Sequence, residues 1–253
     1  MATIINIETS TEVCSVALTS NMEVLDHHEN YDGQTHATLL SAYVRSALDY
    51  ARSRDIAIDT VAVSIGPGSY TGLRIGLSEA KGLAFGLNVP LITVDTLMLI
   101  AVQAMFAPGM DPDDTPLLVP MMDARHGEVY MAAYDMALNT VSEPHAVRLA
   151  ADSLDSLSND GRLLVIAGSG ASVAQDVLTA DINALYLPDI KPAAVDMMAL
   201  SEKAWREKQF ADTAYCTPRY LKDYHAIKPR NRVLEQALNN RLEGGNLQRQ
   251  QQL

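Results

Sequence analysis

The sequence is short of cysteine and of positive charge, and both shortages narrow its function. Two cysteines, Cys14 and Cys216, in 253 residues form neither a disulfide framework nor a metal-ligand spacing, and they suit a reducing compartment. Nineteen Lys and Arg stand against 31 Asp and Glu, a net charge of −12. A surface that acidic repels phosphate backbones, which argues against a free-standing nucleic-acid binder. The six histidines (27, 28, 36, 126, 145 and 225) lack metal-binding spacing and read as surface or turn residues. No Gly-Lys-Ser/Thr follows a glycine-rich loop, so there is no P-loop. The opening Met1–Glu8 has neither a basic flank nor a long apolar core. The stretch most like a membrane span, 82–107, is interrupted by Asn88, Pro90, Asp95 and Gln103. The expectation is a soluble, cytoplasmic protein.

What is present centres on residues 64–76. Val61-Ala62-Val63 reads as a buried strand, and a helix is expected over Thr71–Leu87. Between them lie Gly66, Pro67, Gly68 and Ser69, which reverse a chain sharply and cap a helix. Such a turn either aims N–H groups and a helix dipole at an anion or is a tight connection without ligand. Gly66, Gly68 and Gly72 are spaced one residue too long for the dinucleotide fingerprint. Gly72, Gly76, Ala80 and Ala84 then recur every four residues, forming one small-residue face. A flat face of this kind packs on its own sheet or docks on a partner helix. Docking is the expectation, because an internal face more often carries Leu or Val.

In chain order, Thr3–Ile7, Val13–Thr19 and Met22–His28 read as an antiparallel meander, followed by an amphipathic helix over 35–54. The central strand, glycine turn and small-faced helix come next, then a strand at Leu91–Val94 and a helix from Asp95. After a breaker-rich linker at 107–116, the pattern repeats. Strands are expected at Leu117–Met122, Glu128–Asp135 and Val141–Leu149, with a helix near Ala151–Leu157. A strand at Leu163–Ala167 then enters helix Ala171–Leu178 through Gly168-Ser169-Gly170, and a last helix runs from Ala193 to Gln209. Element order alone supports this duplication. Residues 219–232 hold five basic groups and one acidic one; 233–253 reads as a helical or disordered tail, with the Gln/Arg run after Arg241 disordered.

Two linked β-β-β-α-β-α halves resemble the actin/hexokinase/Hsp70 (ASKHA) α/β superfold, which holds a nucleotide between its halves. The expected division is an N-terminal subdomain at 1–107, a C-terminal one at 117–232 and a tail at 233–253. Three blocks carry a closer resemblance: Ile7-Glu8-Thr9-Ser10-Thr11-Glu12 with Cys14–Leu18; Gly66-Pro67-Gly68-Ser69-Tyr70-Thr71-Gly72-Leu73-Arg74-Ile75-Gly76; and Met122-Asp123-Ala124-Arg125-His126-Gly127-Glu128-Val129-Tyr130. They are similar to blocks of the TsaB (YeaZ) family, across roughly residues 3 to 225. That family resembles TsaD, which completes N6-threonylcarbamoyladenosine at position 37 of tRNAs reading ANN codons. TsaD-like proteins hold a metal through His-x-x-x-His; here Thr96 and Ile100 occupy those two positions, and neither serves a divalent ion.

The resemblance therefore implies a non-catalytic sibling with no metal and no cofactor of its own, ATP or ADP belonging to the assembled complex. It implies a heterodimer with a TsaD-type catalytic subunit, self-association being the alternative without that partner. It further implies recruitment of a TsaE-type ATPase, contact with tRNA only through the complex, and no membrane. The docking residues expected are Leu39, Tyr43, Gly72, Ile75, Gly76, Glu79, Ala80 and Leu83. A vestigial nucleotide cleft would use Glu8, Thr9 and Ser10 by the phosphates and Gly168, Ser169 and Gly170 by the adenosine. Asp123 is read as an acid candidate or as half of an Asp–Arg pair with Arg125 holding a turn, and the basic segment as a solvated tail or a tRNA contact. The competing reading is a free-standing kinase-like enzyme in which the same turns form a working ATP cleft.

Overall fold

β-Branched runs at the start of the chain build the first sheet. In the computed structural model, which describes residues 2–33, 35–108, 115–159, 161–179 and 181–222, β1 (Thr3–Glu8) pairs antiparallel with β2 (Cys14–Ser20), and β2 with β3 (Glu23–Asn30). β4 (Thr60–Gly66) runs parallel to β1 and β5 (Leu91–Asp95) parallel to β4, giving the order β3-β2-β1-β4-β5. Alternation along β1 and β4 sends side chains to two covered faces. Ile5, Ile7, Val61 and Val63 meet α1 (His36–Ser53) and α2 (Tyr70–Leu87), which lie side by side. Ile4 and Ala62 face the other way, with Ile92 and Val94.

The second sheet repeats the plan. It consists of β6 (Leu117–Asp123), β7 (Glu128–Tyr134), β8 (Thr140–Arg148), β9 (Leu164–Ala167) and β10 (Ala184–Leu187). Their order, β10-β9-β6-β7-β8, is that of the first sheet, strand for strand. The expected helix near 151–157 shrinks to the single turn α4 (Asp155–Ser158), and α5 (Ala171–Val177) has only seven residues.

The helices that close each half pack across the expected division. α3 (Thr96–Met105) buries Leu97, Ile100, Ala101 and Ala104 against Leu118, Met122 and Ala132 of the second sheet. The helix expected over 193–209 is a 3-10 turn at Ala194–Met197 followed by α6 (Met198–Arg206). Asp196 breaks it by turning its carboxylate back to accept the Ala193 N–H at 2.8 Å. Met197 and Ala204 then seal the back of the first sheet, and the Ala2 amide donates to Glu202. The chain continues along that half: Ala211 bridges to Leu91, Lys81 Nζ donates to the carbonyls of Ala214 and Cys216, and the Arg219 amide donates to the Ile65 carbonyl. By packing, 194–221 belongs to the first sheet, whereas α3 serves both, with Leu99 in the core behind the first sheet and Leu97, Ile100, Ala101 and Ala104 in that of the second. Most of the expected linker, most of the basic segment and the whole tail lie outside the described residues.

Candidate functional site

Four segments surround a cavity of about 1030 Å³: the β1–β2 turn, the β3–α1 connection with the start of α1, the glycine turn before α2 and the β6–β7 turn, with Ser169 beside them. Its walls are hydroxyl-rich, and its charges are mixed. Glu12 is ion-paired with Lys191 at 2.9 Å, which holds its carboxyl below the usual range. Asp123 Oδ1 accepts the Arg125 amide at 2.8 Å, and the Asp123 amide donates to Ser169 Oγ at 3.1 Å. Asp123 thus holds the turn through backbone, not through the Arg125 side chain. Arg125 and His126 both sit in left-handed backbone, at φ 66° and 57°.

The β1–β2 turn is not laid out as the superfold likeness implies. Glu8, Thr9 and Ser10 are all 0% exposed, because the turn plugs into the glycine face of α2. Thr9 Oγ1 donates to the Gly72 carbonyl at 2.9 Å, and the Ser10 carbonyl accepts the Ser69 amide at 2.6 Å. A Cβ on Gly68 would overlap the Ser10 carbonyl; on Gly72, the Thr9 carbonyl; on Gly76, the Thr9 hydroxyl. The glycines are there to admit Thr9 and Ser10. Two amides of the turn are consumed in the process, Ser69 N by Ser10 and Gly72 N by the capping Ser69 Oγ. In the second half, Gly168 and Gly170 press on Met121, whose carbonyl accepts the Gly170 amide at 3.0 Å. Of the six residues expected along a nucleotide cleft, Ser10 and Ser169 line the cavity, while Glu8, Thr9, Gly168 and Gly170 are buried behind it.

The expected docking row is likewise corrected. Gly72, Gly76, Ala80 and Ala84 are buried against their own sheet, where the β1–β2 turn requires flatness. The outward surface of α2 carries a second small row, Thr71, Ser78, Gly82 and Gly86, all exposed, and a Cβ on Gly82 or Gly86 would meet nothing within 4 Å. Beside it Leu39, Tyr43, Ile75, Glu79 and Leu83 are half-buried along the α1–α2 seam, where Ser41 Oγ donates to Glu79 at 3.1 Å. Phe85 is 84% exposed.

Thr96 and Ile100, expected at the two histidine positions of TsaD-like proteins, are core residues, and Ile100 packs against Gly168. Among the described residues no three His, Cys, Asp or Glu side chains converge to hold a metal. Just before Thr96, Asp95 caps α3 by accepting the Leu97 and Met98 amides at 2.8 and 3.2 Å and pairs with Arg219 at 3.0 Å. Arg219, expected in a solvated segment, is therefore anchored. His36, expected at the surface, is buried with Nε2 3.1 Å from the Val13 carbonyl.

Comparison with known proteins gives three concordant results. The family model described as TsaD, tRNA N6-adenosine threonylcarbamoyltransferase, matches residues 19–242. The tRNA threonylcarbamoyladenosine biosynthesis protein TsaB of Escherichia coli (strain K12) is 32% identical over 89% of this chain and 96% of its own, and that of Bacillus subtilis (strain 168) is 29% identical over 87% and 94%. The solved structure of YeaZ from Pseudomonas aeruginosa superposes with a TM-score of 0.74 at 27% identity, covering 87% of this chain and all of that one. Among the described residues no helix is long and apolar enough to cross a membrane.

Proposed function

Because the chain belongs to the TsaB (YeaZ) family of tRNA threonylcarbamoyladenosine biosynthesis proteins, within the wider TsaD-like group, we propose that it acts as the non-catalytic scaffold subunit of that pathway's transferase complex. It pairs with a TsaD-type catalytic subunit and helps recruit a TsaE-type ATPase. The observation that carries this reading is the packing at Thr96 and Ile100, where a hydroxyl and an alkyl group fill core positions instead of presenting ligands. The docking surface in this reading is the outward face of α1 and α2, centred on Leu39, Tyr43, Ile75, Leu83, Gly82 and Gly86. Small residues there allow a partner helix close approach, and the half-buried apolar seam supplies contact area. The chain works in the cytoplasm, needs no cofactor of its own and meets tRNA through the complex.

Reconstitution tests it. Alone, the chain forms no threonylcarbamoyladenosine from threonylcarbamoyl-adenylate and tRNA, and it is required once the TsaD- and TsaE-type partners are added. Robust product from this chain alone overturns the scaffold reading. Gly82→Arg tests the face: it weakens binding to the TsaD-type subunit by about thirtyfold or more, about 2 kcal/mol, with a melting temperature no lower than that of the natural chain. Normal binding by that variant moves the interface elsewhere. The cavity itself favours a second reading, a kinase-like enzyme; ATP turnover by the isolated chain would support it, against the burial of Glu8 and Thr9.

A further inference from the structure

The scaffold reading leaves Glu8 without a task. β1 and β4 are in register with Ile7 opposite Val63, which sets Glu8 at the strand end beside Ser64. Glu8 Oε1 accepts the Ser10 amide at 2.5 Å, whereas Glu8 Oε2, Ser10 Oγ and Ser64 Oγ are all buried without a hydrogen-bond partner. A carboxylate enclosed this way is costly when charged. Burial pushes Glu8 up to about 7, against the opposing pull of the Ser10 and Ser64 groups. Two titratable groups act on it or answer to it. Asp196 of the 3-10 turn adds repulsion, and the thiol of Cys14 on β2 is pushed up to about 11 by burial and by Glu8. β4 presents the Ser64 hydroxyl.

From Glu8 a continuous set of contacts leads into α2. The carboxyl holds the Ser10 amide, the Ser10 carbonyl holds the Ser69 amide at the helix cap, and Thr9, between them, fills the space over Gly72 and Gly76. We propose that Glu8 is a proton-controlled lock on α2: neutral, it seats the β1–β2 turn in the helix, and ionised, it loosens that seat and weakens docking of a partner protein on the outward face. The lock rests on the docking reading above. Its physical basis is that an ionised Glu8, fully enclosed with one backbone donor, two serine hydroxyls and a repelling Asp196, is costly to keep buried, so it relaxes by displacing its own turn. α2 cannot stay in place when Thr9 moves, because the two meet without spare space.

The test measures affinity of the full chain for its TsaD-type subunit from pH 6 to pH 8.5, and in parallel hydrogen exchange at the Ser69 and Gly72 amides of the chain alone. The dissociation constant is expected to rise about tenfold between pH 6 and pH 8, with exchange, corrected for its intrinsic pH dependence, rising alongside. Glu8→Gln flattens both. Equal pH slopes in Glu8→Gln and the natural chain overturn the lock. Should Glu8→Gln fail to fold, Ser64→Ala decides: removing a group that favours the charged form moves the midpoint to higher pH, and an unmoved midpoint overturns the proposal. Absence of partner binding at every pH fails the docking reading instead, and the exchange measurement on the isolated chain still judges the seat.

Discussion

The two halves share a strand order and place a glycine turn at the same point, after the strand that runs parallel to the first. They use the space the glycines leave in opposite ways. In the first half Gly68, Gly72 and Gly76 admit the polar turn of Glu8, Thr9 and Ser10, and an 18-residue helix follows. In the second, Gly168 and Gly170 admit Met121, and the helix stops after seven residues without a side-chain cap. A glycine turn thus reports close approach, and the neighbour across the gap decides what it does. With Met121 the result is ordinary core. With Glu8 it is a buried ionisable group coupled to a long helix with a free face.

The comparison breaks most severely at Gly76. Gly76→Leu drives a side chain into Thr9, and since the strand behind cannot retreat, we expect a loss of about 3 kcal/mol or more, read as a collapsed or absent melting transition. Gly82→Leu, six residues along the same helix with open space above it, gains about 0.5–1 kcal/mol from helix propensity. Equal melting temperatures for the two variants would contradict the inward orientation of the first row.

Next in size is the proton linkage of Glu8. Its carboxyl titrates near 4.5 when unfolded and at about 7 when folded. Between those values the folded chain holds a proton that the unfolded chain has released, so stability falls as pH rises through this window and levels off above it. The gap corresponds to about 3 kcal/mol in total. Glu8→Gln removes that slope: near the natural chain in stability at pH 5, more stable than it at pH 8.5, by denaturant titration. Asp123→Asn, at the matching strand end of the second half and exposed, serves as the control and leaves the slope in place. Thr9→Val, which keeps shape but abandons the hydrogen bond to the Gly72 carbonyl, costs about 1–2 kcal/mol. Ser169→Ala, on the exposed turn of the other half, costs less than about 0.5 kcal/mol.

Much of this architecture was readable from the residues. The 3.6-residue spacing of Leu40, Val44, Ala47 and Ala51 marked α1, and the β-branched runs marked β1 and β4. The repeat of element order foretold two sheets of one plan. β10 is not legible in the sequence because Ala184-Leu185-Tyr186-Leu187 is short and half-buried throughout, without the alternation that signals a strand. The burial of the cleft residues is hidden in the sequence for a different reason. Glu8-Thr9-Ser10-Thr11-Glu12 has the composition of a solvated turn, and only the contact of Thr9 with Gly72, 63 positions away, turns it inward. α2 carries small residues on two faces, so spacing alone could not say which one meets the sheet.

A last pair of variants separates two roles of Asp95. Burial raises its carboxyl above the usual range, an effect opposed by the Met98 amide, by the Arg219 charge and by the Leu97 amide. The cap satisfies two amides that α3 would otherwise leave without partners, and losing it in Asp95→Ala should cost about 1–2 kcal/mol. Arg219 is 43% exposed at its side chain, so solvent screens its half of the pair, and Arg219→Ala should cost no more than about 0.5–1 kcal/mol. The difference sharpens the contrast between halves: α3 begins at a charged cap tied to the returning chain, whereas α5 begins at Gly170 with none. Melting curves at low and high salt distinguish the two contributions. The Arg219→Ala deficit shrinks in 1 M salt, where the Debye length is about 3 Å, and the Asp95→Ala deficit largely remains. If both deficits vanish together, Asp95 acts mainly as the partner of Arg219, and the cap contributes little to the stability of α3.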